Sequence, residues 1–92
     1  MKPVLYHQLS PRMKKEVREA YIKEQDGRCM YCKEDLTRPA AAAVLSKSLD
    51  MRRFPPQFLA HPVHLQHDHG TGLTEGAVHA YCNGVMFQYE GR

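Results

Sequence analysis

His64-Leu-Gln-His-Asp-His-Gly-Thr-Gly72 is the stretch of this chain that decides its fold, together with the nearby His79-Ala-Tyr-Cys-Asn83. The twenty residues from 64 to 83 hold four histidines, an aspartate, a cysteine and an asparagine, with glycines at the turns. Side chains of this kind are costly to bury without a partner, and several are common ligands of metal ions. The region therefore predicts a metal-associated element rather than part of an ordinary hydrophobic core.

The same region has the pattern of a β-hairpin followed by a helix. Residues 63–67 alternate between apolar and polar side chains, which is typical of a strand with one buried face. Gly70-Thr-Gly72 predicts a turn, residues 74–79 a second short strand, and the chain from Tyr81 onward a helix. This order of elements predicts an α+β fold.

Two pairs of metal ligands in the chain share the same two-residue gap. The pairs are Cys29-x-x-Cys32 and His79-x-x-Cys82. Three cysteines and one histidine form a standard closed set for tetrahedral zinc, and this set uses every cysteine in the chain. We predict a structural zinc site, with His61 and His69 as more distant alternatives for the fourth ligand. Buried free thiols beside a surface histidine are the competing interpretation.

The first part of the chain predicts two helices. Ser10-Pro11 is a helix start, because serine caps the free amides and proline suits the first helical position. We predict a helix over residues 11–25, ended by Asp26-Gly27. Residues 40–53 begin with four alanines and predict a second helix, and residues 55–62 form a proline-rich loop.

Length and cysteine content limit the class of protein. Ninety-two residues are enough for one domain with a small core that benefits from a staple. Three cysteines cannot form a complete disulfide set, and the chain shows neither a long apolar run nor a signal-peptide pattern. We therefore expect a reduced, cytoplasmic protein whose cysteines bind metal.

Basic residues and histidines are unevenly spread. Residues 1–55 hold twelve of the thirteen lysines and arginines, whereas residues 56–92 hold five of the six histidines. This division suits a surface that grips phosphate beside a histidine-rich cleft. A solvated helix face explains the charge equally well.

Several of these motifs together resemble the recombination endonuclease VII branch of the HNH (ββα-metal) nucleases. The matching stretches are Gln66-His67-Asp68-His69-Gly70-Thr71-Gly72, Glu75-Gly76, His79-x-x-Cys82-Asn83 and, upstream, Gly27-Arg28-Cys29-x-x-Cys32. The resemblance implies one zinc-stapled ββα-metal domain over residues 1–92. Within it, residues 10–36 carry the N-terminal helix and the first zinc pair, residues 37–62 form a helical insertion, and residues 63–90 form the ββα-metal motif.

The resemblance also implies a function, which is metal-dependent cleavage of DNA phosphodiester bonds. His67 aligns with the family's general base, and Asn83 aligns with the asparagine that binds the catalytic divalent ion, usually magnesium. The family's zinc cysteines align with Cys29, Cys32 and Cys82. His79 stands where the family usually has a cysteine. We expect DNA as the partner, no membrane association, and a bacterial or phage-infected cell as the setting, with monomer and homodimer both open.

Two residues depart from the family pattern. Gln66 stands where the family has a metal-binding aspartate, and Glu75 stands where it tends to have arginine. Exchanging a carboxylate for an amide weakens magnesium binding. The glutamine oxygen could still coordinate, Asp68 could supply the carboxylate, or manganese or nickel could use the local histidines. Alternatively, catalysis has been lost and only binding remains.

Other candidate residues have an ordinary structural interpretation beside the functional one. We predict DNA contacts for His64, His69, Arg52 and Arg53, each of which also suits a plain surface position. Asp68 could instead cap the glycine turn. The sequence thus predicts an endonuclease, with a catalytically silent zinc-stapled DNA-binding module as the main alternative and a zinc-knuckle protein-interaction domain as a weaker one.

Overall fold

The computed structural model of the chain describes residues 1–91, which fold into three α-helices and one two-stranded sheet. The helices are α1 (Pro11–Glu24), α2 (Ala42–Leu45) and α3 (Ala80–Glu90), and the strands are β1 (Val63–His67) and β2 (Thr74–His79). Single turns of 3-10 helix lie at Tyr6–Gln8 and Met51–Arg53. The predicted α+β class is confirmed.

Helix α1 begins and ends close to where the sequence predicts. The Ser10 hydroxyl accepts a hydrogen bond from the Met13 amide, and Pro11 occupies the first helical position. After the helix, Asp26 and Gly27 both have positive φ, of 54° and 74°, which reverses the chain toward the first cysteine pair. The predicted helix over residues 11–25 is confirmed to within one residue.

The hairpin is antiparallel and places α3 directly after β2. Leu65 pairs with Ala77, and the register shifts between Gln66 and His67, so that Glu75 is an extra residue on β2. Such a bulge bends a strand and redirects the side chains next to it. The predicted order of strand, turn, strand and helix is confirmed.

Helix α1 packs against β2 through polar as well as apolar contacts. The buried hydroxyl of Tyr21 lies 2.9 Å from the Thr74 hydroxyl, and the Gln25 side chain bonds both the amide and the carbonyl of Ala77. A Cβ atom at Gly76 would lie 2.8 Å from the Gln25 amide oxygen. Glycine at this position therefore permits the close approach of α1 to the sheet.

The single helix predicted over residues 40–53 is wrong. Only Ala42–Leu45 is α-helical, and residues 46–50 leave the helix before the 3-10 turn. Their backbone groups bond to side chains of α3 instead. The Tyr81 hydroxyl donates to the Lys47 carbonyl, and the Tyr89 hydroxyl donates to the Ser48 carbonyl, both at 2.7 Å. Long-range hydrogen bonds have thus replaced the local ones that alanine-rich propensity favours.

The core lies where α1, the first cysteine pair and the hairpin meet. Its buried members are Tyr21, Cys29, Leu36, Ala40, Leu65, Ala77, Val78 and Cys82. Two of these eight side chains, Cys29 and Cys82, belong to the predicted set of zinc ligands, so part of that set lies in the core. In the described part of the chain, no helix has the length and apolar character needed to cross a membrane.

Candidate functional site

The first candidate site is a cluster of three cysteines and one histidine. Cys29 and Cys32 come from the turn after α1, His79 ends β2, and Cys82 lies in the first turn of α3. Their ligand atoms all lie within 4.8 Å of one another, and three of the four residues are buried. Ligand atoms around tetrahedral zinc stand roughly 3.5–4 Å apart. The cluster could therefore hold a metal ion such as zinc.

The orientation of His79 suits a metal ligand. Its Nε2 atom lies 3.0 Å from the Asp35 carbonyl and 2.9 Å from the Arg38 carbonyl, and these oxygens can only accept a hydrogen bond. Nε2 therefore carries the hydrogen, and Nδ1 presents its lone pair to the Cys32 and Cys82 sulfurs at 3.4 and 3.7 Å. Fixing the tautomer through a carbonyl is the usual support for a metal-bound histidine.

The sulfur of Cys29 lies among hydrogen-bond donors that favour a thiolate. The Cys82 thiol and the backbone amides of Cys32, His79 and Tyr31 lower the pKa of Cys29 to about 4, although burial opposes them. The same contact with Cys29, together with burial, raises the pKa of Cys82. Negative charge is thus concentrated on a buried sulfur cluster, which is the charge that a cation neutralises.

The sequence predicted these four ligands, and the structure brings all four together. The two alternatives for the fourth ligand, His61 and His69, line a cleft elsewhere. Among the described residues, the histidine that joins the three cysteines is therefore His79.

The second candidate site is that cleft, a cavity of about 500 Å³. The lining includes every residue of β1, two residues of α3, two residues of α1 and part of the chain from 53 to 61. The sequence-predicted residues that it brings together are His64, Gln66, His67, His69, Asn83 and Arg53. Asp68 and Arg52 do not line it.

His67 lies in a group of stacked rings at one side of the cleft. The Tyr6 ring stacks on its imidazole, with centroids 4.0 Å apart and planes inclined by 10°. His7 and His69 approach it edge-on, at 5.2 and 5.0 Å. The ammonium group of Lys14 lies 4.2 Å from the centroid of the Tyr6 ring. These contacts hold the His67 ring in one orientation.

The surroundings of His67 favour its neutral form. Burial lowers the pKa of His67, and the nearby His69, His7 and Lys14 lower it further, with a smaller opposing effect from Asp68. Because the ordinary value is close to 6.5, a lowered pKa leaves this imidazole unprotonated and able to accept a proton at neutral pH.

The segment before α1 delivers Tyr6 to this place. The Tyr6 amide donates to the Gly72 carbonyl at 2.9 Å, and the Thr74 amide donates to the Val4 carbonyl at 2.8 Å. The segment thus pairs with the hairpin where the turn joins β2. No local pattern in the sequence predicts this contact, because the paired residues are 66 and 70 positions apart.

Asn83 is held by a chain of two hydrogen bonds. Nε2 of His64 lies 2.8 Å from the Phe58 carbonyl, which can only accept, so Nε2 carries the hydrogen. Nδ1 of His64 therefore accepts a hydrogen bond from Nδ2 of Asn83, at 3.1 Å. This bond fixes which end of the amide is the donor. The Asn83 oxygen receives no hydrogen bond from residues 1–91, so it is free to bind a ligand in the cleft.

His64 is suited to this task because it stays neutral. Burial lowers the pKa of His64, and the charges of His61 and Arg18 act in the same direction against the effect of the Phe58 carbonyl. A protonated ring would carry hydrogen on both nitrogens and could not accept from Asn83. The predicted role of His64 as a DNA contact is thus joined by a structural one.

Gln66 and Asp68 are placed differently. Gln66 is 4% exposed, and its amide nitrogen donates to the neighbouring His67 carbonyl at 2.8 Å. It lines both the cleft and a smaller polar pocket of about 290 Å³, which Asp68 and Glu75 share. One oxygen of Asp68 accepts hydrogen bonds from the Gly70 and Thr71 amides, which lower the pKa of Asp68. Asp68 therefore caps the glycine turn.

Two arginines were predicted to contact phosphate, and two further basic residues are found in the lining of the cleft. Arg53 lines the cleft, whereas Arg52 is paired with the Asp50 carboxylate at 2.9 Å and lies outside it. Lys14 and Arg18 also line the cleft, and sequence reasoning did not single them out. Their spacing of four residues on α1 places them on one helix face, which is a signal that could have found them.

Comparisons of this chain with protein-family models, with curated proteins and with solved structures found no match.

Proposed function

We propose that this protein is a metal-dependent DNA endonuclease of the HNH (ββα-metal) type. The observation that supports this most strongly is that His67 from β1 and Asn83 from α3 line one cleft together with three cations. Phosphodiester hydrolysis can use a neutral imidazole as the base, an amide oxygen as a metal ligand and basic side chains as phosphate contacts.

In this proposal His67 is the general base. Its lowered pKa keeps the imidazole neutral, and its stacking on Tyr6 holds the ring in place while it accepts a proton from the attacking water. A positioned base of this kind contributes roughly 10²–10⁴-fold to the rate.

Asn83 and Gln66 would hold the catalytic divalent ion, magnesium or manganese. The fit rests on the free Asn83 oxygen, since no aspartate or glutamate of residues 1–91 lines the cleft to supply the negative charge that such an ion prefers. A bound divalent ion supplies charge stabilisation to the phosphate and to the leaving oxygen. Because both protein ligands are neutral amides, we expect weak binding of the ion in the absence of DNA, whose phosphate provides the missing negative charge.

Lys14, Arg18 and Arg53 would hold the DNA backbone beside His67. Cations near phosphate oxygens position the strand without reading its sequence. Each contact also releases counterions, so binding should weaken as the salt concentration rises.

Zinc in the Cys3His cluster would act as a structural staple. Cys29 and Cys32 follow α1, whereas His79 and Cys82 flank the junction of β2 and α3. An ion shared by these four residues ties α1 to the junction and fixes Asn83, which is the next residue after Cys82. Structural zinc contributes roughly 10–16 kcal/mol of apparent binding energy in small peptides.

A plasmid-nicking assay of the zinc-loaded protein tests the proposal. It compares added magnesium, manganese or nickel with no added metal, and it avoids chelators that would remove zinc. We expect metal-dependent relaxation of supercoiled plasmid that His67→Ala reduces by roughly 10²–10⁴-fold. Lys14→Ala tests the proposed phosphate contact in the same assay. Its matched control is Lys15→Ala, since Lys15 is the adjacent cation on α1 but does not line the cleft. Nicking by His67→Ala at the wild-type rate would contradict the proposal.

The second candidate function is a catalytically silent DNA-binding module, and Gln66 is the observation that favours it. The same assay separates the two. One outcome is that the wild-type protein binds DNA but does not nick it with any of the added metals, while Gln66→Asp gains nicking. In that case the chain is a binding module that has lost a metal ligand. If the wild-type protein nicks and Gln66→Asp needs less magnesium, then Gln66 is a weak ligand in a working enzyme.

A further inference from the structure

Three phenylalanine rings form an aromatic wall in the cleft. Phe54 lies 4.7 Å from Phe58 and 5.8 Å from Phe87, measured between ring centroids, and all three line the cavity. We call these three residues the phenylalanine wall. Phe87 remains 38% exposed, so the rings are not simply a buried core under the neighbouring loop.

Cations stand in the same cavity as the wall. The guanidinium of Arg53 lies 5.8 Å from the Phe87 ring centroid, and Lys14 and Arg18 line the cleft from α1. An exposed aromatic surface beside positive charge is the combination by which proteins bind single-stranded nucleic acid, because bases stack on the rings while cations hold the phosphates.

The fourth aromatic ring of the cleft is already occupied. Tyr6 has His67 stacked on it and the ammonium group of Lys14 close to its ring. The rings of the phenylalanine wall meet one another and His64 only at tilted or edge-on angles, so the wall is the part of the cleft lining that can offer an aromatic face to a ligand. Phe58 is fixed by its edge-on contact with His64, at 4.8 Å, which connects the wall to the residue that holds Asn83.

We propose that the phenylalanine wall stacks an unpaired base of the DNA, so that the protein prefers single-stranded or unpaired DNA to intact duplex. This inference rests on the proposed function and names its substrate class. In a duplex the base faces are covered by their neighbours, and the outer surface presents sugar and phosphate, which gain little from an apolar wall. An unpaired base has free faces, and a cavity of about 500 Å³ is within the usual range for small-molecule pockets.

Binding of labelled DNA, followed by fluorescence anisotropy, tests the inference. The probes are a pyrimidine oligonucleotide alone and the same strand in duplex with its complement, in buffer without added divalent metal or chelator. We compare the wild-type protein with Phe87→Leu, which keeps apolar volume but removes the ring. Leu59→Ala is the matched control, because Leu59 is a similarly exposed apolar residue, at 39%, that does not line the cleft. Zinc content and circular dichroism establish that each variant is folded.

We expect tighter binding of the single strand than of the duplex, and a loss of single-strand affinity in Phe87→Leu of roughly 5- to 100-fold. Duplex affinity should change little in that variant, whereas Lys14→Ala should weaken both probes. If Phe87→Leu binds the single strand as tightly as Leu59→Ala does, while Lys14→Ala still weakens binding, the inference is overturned and the proposed function stands. If the wild-type protein binds neither probe and nicks no plasmid, both are overturned.

Discussion

The Cys3His cluster and the cleft are built from adjacent residues of the same elements, yet they differ in every physical respect. Cys82 is buried beside the other cysteine sulfurs and Nδ1 of His79, whereas Asn83, the next residue of α3, lines an open cavity. The side chains of the cluster are thiols and an imidazole, whereas the cleft brings together the amides of Asn83 and Gln66 with histidines. Closed sets of sulfur and nitrogen ligands are typical of structural metals, and open sites are typical of catalytic ones.

This difference suggests to us that the two sites have separate roles, one in stability and one in activity. In the proposed function, zinc bound by the cluster fixes the junction of β2 and α3, and Asn83, which follows Cys82, binds the catalytic ion in the cleft. A chain with so small a core can hold a side chain in place only if something supports the backbone nearby. We infer that stability comes mainly from the cluster and that chemistry belongs to the cleft. The predictions below test this separation.

The largest expected effect is on stability, from removing a ligand of the cluster. We expect Cys82→Ser to lose stoichiometric zinc and most of its cooperative thermal unfolding, because structural zinc is worth roughly 10–16 kcal/mol in small peptides. Zinc content by elemental analysis and the unfolding curve by circular dichroism measure this. His61→Ala is the control, since His61 was a sequence-level alternative ligand and lies outside the cluster. A folded Cys82→Ser protein with one equivalent of zinc would break the comparison.

A smaller effect is expected from His64, which touches Asn83 and leaves the cluster alone. His64→Ala removes the acceptor of the Asn83 amide, so the amide oxygen loses its fixed orientation. Loss of such a supporting contact typically costs 10- to 100-fold in metal affinity or activity. We expect weaker manganese binding in the presence of DNA, measured by electron paramagnetic resonance of the free ion, with unchanged zinc content. Unchanged manganese affinity would show that the His64 bond does not position Asn83.

The smallest effect concerns pH. In the proposed function His67 acts as a base when it is neutral, so the nicking rate should rise with pH through its pKa and then level off. Since the pKa of His67 is lowered, the midpoint should lie below the ordinary value of about 6.5. Lys14→Ala removes a charge that lowers the pKa of His67 and should therefore move the midpoint of the pH profile up.

Asp68→Asn provides the opposite test of the same point. The Asp68 carboxylate raises the pKa of His67, so its removal should move the midpoint of the pH profile down. An asparagine oxygen can still accept the hydrogen bonds that cap the turn. Shifts of equal sign in the two variants would contradict the role given to His67.

Sequence reasoning predicted the elements whose signals are local. The cap at Ser10, the strand over residues 63–67 and the two ligand pairs each depend on spacings of a few residues, and the structure bears out all three. The alternating burial expected of that strand is wrong, since the neighbouring Leu65 and Gln66 are both buried. The use of Asp68 as a turn cap was also among the expected alternatives. Such features follow from backbone geometry and side-chain reach, which a sequence shows directly.

The features that sequence reasoning missed depend on distant residues. The helix predicted over 40–53 is interrupted because side chains of α3 bond to its carbonyl groups. Tyr6 stacks on His67 only because the N-terminal segment pairs with the hairpin turn. Neither contact has a periodicity or a spacing that could reveal it. The sequence therefore predicted residues such as His67 and Asn83 that meet in the cleft, whereas the aromatic and basic residues Tyr6, Lys14 and Arg18 that also line it were not predicted.

The most direct test of the division between the two sites is metal-dependent plasmid nicking by Asn83→Ala, measured on protein whose zinc content is determined in the same sample. The account predicts one equivalent of zinc, a wild-type unfolding temperature and loss of nicking, because Asn83 belongs to the cleft while its neighbour Cys82 belongs to the cluster. Nicking at the wild-type rate, or loss of zinc along with activity, would contradict it.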